Sequence, residues 1–167
     1  MDFARLEYIK NVNDDNGWAY RYCLVGGYFQ LNFKRSDAKD VLAHALSLPK
    51  GSLIILSQSY HGERYLTHVV ELVNEGSEDE PQQEEGTWGI FRWVKVYWVA
   101  NFSCPNNIPL DKDVMKVNWG WYDTKAKLLT SPGLMSQWET IENLRDALQE
   151  VFNIGAVHQP LSTSLHN

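Results

Sequence analysis

The chain has 167 residues, 44% of them hydrophobic, and a formal net charge of −6, which suits one domain with a core of its own. Two cysteines are too few for a disulfide framework, no apolar run approaches the roughly 20 residues of a membrane span, and the start MDFARLEYIK has no apolar signal-peptide region. The negative charge argues against a polyanion partner, but six acids fall in one stretch, EGSEDEPQQEE, leaving 15 acids against 15 bases elsewhere.

Taken in order, residues 1–17 are polar and turn-rich, and a short helix or loop is expected there. Trp18 to Val25 (WAYRYCLV) has strand propensity. With the Gly26-Gly27 turn and the alternating YFQLNF that follows, it predicts a hairpin. Ser36 and Asp37 open a helix in which Ala38, Val41, Leu42 and Ala45 share one face, and Pro49 ends it. The stretch KGSLIILSQSYHGERYLTHVVELV reads as strand, polar tip, strand. Its first strand, Leu53 to Leu56, runs abruptly into Ser57, Gln58, Ser59 and Tyr60, a hairpin tip or the wall of a pocket. Residues 75–86 read as a solvated, mobile acidic loop. Trp93 to Phe102 is the clearest strand, with Val94, Val96, Trp98, Ala100 and Phe102 on an apolar face. A short helix is expected over Leu110 to Val117, then an aromatic turn at 119–122. Ser136 and Glu139 form a capping box before a helix buried through Trp138, Ile141, Leu144, Leu148 and Phe152. Residues 153–167 read as a loose tail. The sum is an α+β domain over 1–152: a small curved, mostly antiparallel sheet or partly open barrel flanked by two to three helices.

The chemistry-bearing residues narrow the function. No nucleotide-binding glycine motif and no metal-ligand spacing is present, and no cofactor is expected. Cys23 and Cys104 read as buried thiols, which points to a cytoplasmic protein. Ser57 or Ser59 with His61 and Glu63 are turn neighbours that cannot all converge on one atom, and no nucleophile-elbow motif surrounds them. His68 reads as a satisfied interior or edge histidine. A binding role is therefore expected, without catalysis. Trp88, Trp93, Trp119, Trp121, Tyr60 and Tyr97 do not all fit a core face, whereas Trp98 and Trp138 do. The residues alone leave open whether the former wall a pocket or fill the core.

The order of elements resembles the PUA-like superfamily, in its EVE and YTH branch. YFQLNFKRSDAKDVL, LPKGSLIILSQSYHGERYLTHVVELV, WVKVYWVANFSCPNNIPLDKDV and SPGLMSQWETI carry the resemblance, over roughly residues 28–150. The glycine-arginine-asparagine segment that many EVE domains carry after the first strand is not recognisable. The resemblance implies recognition of a modified base, flipped or single-stranded, in an aromatic-walled pocket of DNA or RNA. The sensing part of a system that restricts modified DNA is one such setting, with an effector nuclease or NTPase in the same chain or complex. It implies a pocket from Lys34, Ser36, Asp37, Ser57, Gln58, Tyr60 and some of Trp88, Trp93, Trp119 and Trp121, with Gln58 reading a base edge. Arg35, Lys39, Arg64, Arg92 and Lys95, with Lys34, would line a phosphate path. The alternative is a protein-interaction module using the acidic loop and an exposed aromatic patch.

Overall fold

Six strands build one mixed sheet in the order β2-β5-β4-β3-β1-β6. They are β1 Leu6–Val12, β2 Tyr28–Phe33, β3 Leu53–Tyr60, β4 Glu63–Leu72, β5 Ile90–Val99 and β6 Lys127–Leu128. The helices are α1 Val41–Ser47, α2 Gly76–Asp79, α3 Asp111–Met115, α4 Pro132–Met135 and α5 Ile141–Ala156. The structure is a computed structural model describing residues 1–35, 40–79, 83–119 and 123–156.

Four strand pairings are antiparallel and one, β1 with β3, is parallel. The β3–β4 hairpin closes through His61 and Gly62, at φ 48° and 83°. Two consecutive positive φ angles mark the two-residue turn whose twist matches that of the flanking strands. Four strand spacings separate β1 from β2, about 19 Å in a flat sheet. Yet the Lys10 Nζ of β1 stands 4.5 Å from the ring centre of Phe33 in β2. The sheet is therefore curled, and the chain is an α+β domain with a small curved sheet and helices around it.

Each face of the sheet is buried. On one, Ile54, Leu56, Val70, Val94 and Val96 pack with Val41 and Ala45 of α1. On the other, Ile9, Ile55, Leu66, Val69 and Trp98 pack with Leu144, Leu148 and Phe152 of α5. Among the described residues no helix is long and apolar enough to cross a membrane.

Several expectations are corrected. Residues 6–12 form the second strand from the β6 edge of the sheet, not a helix or loop. A register irregularity after Leu6 and the burial of Lys10 and Asn11 hide the usual alternation. Residues 18–25 form turns rather than a strand, so β2 pairs with β5 and not with what precedes it. Their aromatics spend their propensity on stacking: Trp18 on Tyr60 at 4.2 Å and Tyr20 on Phe29 at 4.1 Å. The apolar residues of β5 do not all share one face. A bulge opposite Val69 and Val70 sends Val94 and Val96 to one core and Trp98 to the other. The capping box falls elsewhere as well. Ser136 ends α4, and the hydroxyl of Thr140 accepts from Asn143 N at 3.2 Å, capping α5. Leu42 lies exposed at 36%, off the buried face of α1. Cys23 is half-buried and Cys104 exposed, both free thiols.

The acidic segment is not wholly solvated. Its Asp79 is fully buried, and Arg92 Nε donates to it at 2.6 Å. The same guanidinium donates to Ala45 O at 2.7 Å, to Leu48 O at 2.9 Å and to Asn74 O. It thereby ties α1 and α2 to β5. Gly76 makes this approach possible, because a Cβ there would lie 1.9 Å from Leu46 O. Removing Asp79 would leave a buried, uncompensated guanidinium. Asp79→Ala is expected to lower the unfolding free energy by about 3–5 kcal/mol, read from the urea midpoint. A change under about 1 kcal/mol would mean that water reaches the pair.

Candidate functional site

The polar end of β3 does two structural jobs. Gln58 is 1% exposed. Its Oε1 accepts from Ala19 N at 2.8 Å and its Nε2 donates to Gly17 O at 2.7 Å. One side-chain amide thus satisfies both main-chain groups of a loop about 40 residues away in sequence. Ser57 points to the opposite face of the strand and donates to Asp111 Oδ2 at 2.6 Å. Trp119 Nε1 also donates to that carboxylate, at 3.0 Å. Arg64 Nε stands 3.9 Å from it, and the Arg64 guanidinium lies over the Trp119 ring and donates to Asn11. Burial pushes the Asp111 carboxyl above its usual range, against the pull of Ser57, Trp119 and Arg64.

The loop that Gln58 holds runs from Asn13 to Tyr20. Asp14 Oδ1 accepts from Asn16 N at 2.8 Å, an Asx turn that suits the Asn-Asp run. Trp18 anchors the loop by stacking on Tyr60, and it meets Tyr65 edge-on at 5.4 Å. Tyr20 adopts φ 56°, an unusual conformation for an aromatic residue. Three contacts hold it there. Its hydroxyl accepts from Asn32 N at 2.9 Å, its ring stacks on Phe29, and its carbonyl lies 3.3 Å from His68 Nε2. A carbonyl only accepts, so Nε2 is the protonated nitrogen. Nδ1 then accepts from the Thr67 hydroxyl at 2.9 Å. Burial pushes the His68 imidazole down to about 4 and the Tyr20 phenol up to about 12.

Between this loop and Trp88 lies a cleft of about 400 Å³, lined by Val12, Asn13, Asp14, Asp15, Asn16, Ala19, Tyr20, Asn32 and Trp88. Trp88 is 40% exposed, and its carbonyl accepts from Asn32 Nδ2 at 2.8 Å. Lys34 Nζ stands 5.9 Å from its ring centre. A second cleft of about 370 Å³ lies across Tyr20, lined by Asp14, Asn16, Trp18, Tyr20, Arg21, Tyr22, Cys23 and Phe29.

The structure brings Lys34 and Trp88 together at the first cleft, with Gln58 and Tyr60 behind its loop. Ser57 and Trp119 belong to the Asp111 network, and Trp119 is buried, so neither lines the cleft. Trp93 is half-buried and meets Phe91 edge-on at 6.5 Å. The expectation of a phosphate contact from Arg92 is corrected, since its guanidinium is fully buried on Asp79. Arg64 turns inward to Ser57 and Asn11. Arg35 holds the acidic segment through Gly86 O and Glu84 O, both at 3.2 Å. Lys95 lies near the rings of Tyr28 and Tyr97, at 5.9 and 5.8 Å. Ser36, Asp37, Lys39 and Trp121 lie outside the described residues. The lining residues Asn13, Asp14, Asp15, Asn16, Tyr20 and Asn32 go unnoticed in the sequence reading. Their only signal is the run NDDNG, which reads as an ordinary turn. Among the described residues no cluster of His, Cys, Asp and Glu could hold a metal ion. Comparison with family models, curated proteins and solved structures finds no match to this chain.

Two outcomes follow from this geometry. Gln58→Leu leaves Ala19 N–H and Gly17 C=O unpaired. It is expected to cost about 1–3 kcal/mol and to abolish amide-exchange protection at Ala19. Unchanged protection would show that the loop is held by other contacts. The His68 imidazole titrates lower in the folded chain than its ordinary 6.5, so the unfolded chain binds the extra proton between pH 6.5 and about 4. The stability it confers is complete above that window and is lost as pH falls through it, by on the order of 3 kcal/mol. Asp111, raised by burial, contributes in the opposite sense at the acidic end. The wild-type minus His68→Gln difference in unfolding free energy isolates the histidine; a flat difference across the window would contradict its burial as a neutral ring.

Proposed function

We propose that this chain is a recognition domain, without catalysis of its own, that holds one planar base of a nucleic acid in the cleft between the 13–20 loop and Trp88. The observation that carries the reading is the pre-built cleft lined on one side by Trp88, which is 40% exposed. A volume of about 400 Å³ lies within the ordinary range of small-molecule sites. Gln58 and the three contacts on Tyr20 fix the Gly17–Tyr20 part of its loop wall, which lowers the ordering cost left to the ligand. Asparagines and aspartates along the wall accept hydrogen bonds from the N–H groups of a base edge. The resemblance to the EVE and YTH branch supports a modified base as the ligand, and a longer defence or RNA-processing assembly as its setting. In this reading Gln58 positions the wall rather than reading the base.

A second reading has its own observation. Tyr22, Leu24, Val25 and Tyr28, close together in sequence, are exposed at 82%, 71%, 51% and 57%, and exposed large apolar groups of this kind occur at protein interfaces.

One titration separates the two. Short single- and double-stranded oligonucleotides, unmodified or carrying a methylated base, are titrated against wild type, Trp88→Ala and Leu24→Asp. Base stacking is worth about 1–3 kcal/mol, so Trp88→Ala should weaken binding by about 5- to 150-fold while Leu24→Asp leaves it unchanged. Absence of binding to every oligonucleotide would contradict base recognition and favour the apolar surface.

A further inference from the structure

The second cleft, of about 370 Å³, shares Asp14, Asn16 and Tyr20 with the first. The two therefore adjoin, and Tyr20 stands at the divide. That divide is fixed, since Tyr20 keeps its φ of 56° through Asn32, Phe29 and His68. Aromatic residues dominate the second cleft. Trp18 and Phe29 line it beside Tyr20, each with a ring face already stacked, on Tyr60 and on Tyr20. Tyr22 lines it too and is the most exposed of the four, at 82%. The Arg21 guanidinium lies over the Tyr22 ring, 4.5 Å from its centre, and donates to its hydroxyl. Arg21 makes no ion pair among the described residues. Across the two clefts the carboxylates Asp14 and Asp15 are matched by Arg21 and by Lys34 beside Trp88. Formal charge therefore gives the pair of clefts no preference, and their shape and rings must supply it.

We propose that the second cleft takes the nucleotide next to the one held in the first, so that the ligand is a two-nucleotide step of a single strand. The inference rests on the base-binding reading above and extends its ligand. Each cleft has the volume of an ordinary small-molecule site, enough for one base. The second base stacks on Tyr22, and because every base has a π-face this contact tolerates any sequence. Arg21 offers its remaining N–H groups to the phosphate that joins the two nucleotides. Tyr20, at the divide, keeps the two bases apart. Separating neighbouring bases costs least in a strand that is already unpaired, so a duplex is disfavoured. With the charges balanced, salt weakens binding only as far as one or two phosphate contacts require.

The test compares three ligands at fixed salt: a methylated-base mononucleotide, the same nucleotide joined to an abasic neighbour, and the same nucleotide joined to an intact neighbour. The neighbour is placed on the 5′ side in one series and on the 3′ side in the other. Binding is titrated by tryptophan fluorescence with wild type, Tyr22→Ala, Leu24→Asp and Trp88→Ala, each shown to be folded by thermal unfolding. In one of the two series, wild type is expected to bind the intact dinucleotide about tenfold tighter than the mononucleotide, and the abasic form should recover little of that gain. Tyr22→Ala should remove most of the gain, Leu24→Asp should keep it, and Trp88→Ala should weaken all three ligands. A gain absent from wild type in both series, or undiminished by Tyr22→Ala, would overturn the role of the second cleft. Base recognition would still stand if Trp88→Ala weakened the mononucleotide. Failure of all three ligands to bind would overturn both.

Discussion

The hydrogen-bonded pair between the Gln58 side chain and the backbone of Gly17 and Ala19 is the contact on which the candidate site depends. A loop rich in Asn, Asp and Gly has little of its own to hold one conformation. Here a buried amide on the second strand of the parallel pair reaches across and pairs with one main-chain donor and one main-chain acceptor of the loop. Trp18 then seals the contact by stacking on Tyr60, two residues further along the same strand. Tyr20 can keep its left-handed backbone because Asn32, Phe29 and His68 each hold a different part of it. Burial of the loop's anchor residues and exposure of its Asp-Asn tip are thus parts of one arrangement. The anchors hold the Gly17–Tyr20 end of the loop, and its tip lines the same cleft as Trp88.

Several charged groups that could have met a polyanion serve the interior instead. Arg92 ties α1 and α2 to the sheet through Asp79. Arg64 leans on Trp119 and on the Asp111 network. Lys10 crosses the curl of the sheet to the Phe33 ring and donates to Asn11 O at 2.9 Å. Such groups are costly to bury, and each is compensated by hydrogen bonds or an aromatic face. The consequence for function is direct. In the proposed base-binding reading, stacking and a few polar groups carry the contact, with little contribution from the broad basic surface that non-specific nucleic-acid binding uses.

Much of the fold is legible in the sequence where burial and periodicity agree. Val94, Val96 and Trp98 alternate with half-exposed neighbours and announce β5, and Leu144, Leu148 and Phe152 announce α5. The SYHGER turn marks the β3–β4 hairpin. What is not legible has physical causes. Strand β1 buries Lys10 and Asn11, so it lacks an apolar signature. The stretch 18–25 has strand residues, but its aromatics find better partners in Tyr60, Tyr65 and Phe29 than in a hairpin. The polar end of β3 correctly marks something unusual. Its meaning lies in partners that no local pattern discloses, Gly17 and Ala19 for Gln58 and Asp111 for Ser57. Of the expected pocket, Lys34 and Trp88 come together at the cleft, whereas the acceptors on its opposite wall sit in a run that sequence reading takes for a turn.

The proposed stacking of a base on Trp88, in a cleft already formed, has a direct spectroscopic test. The seven tryptophans of the chain each carry one indole N–H, so a proton–nitrogen correlation spectrum reports on all of them at once. Adding a modified-base nucleotide should shift the Trp88 indole and the amides of Ala19, Tyr20 and Asn32, while the buried Trp98 and Trp119 indoles stay in place. Shifts confined to other tryptophans, or none at saturating nucleotide, would contradict the account.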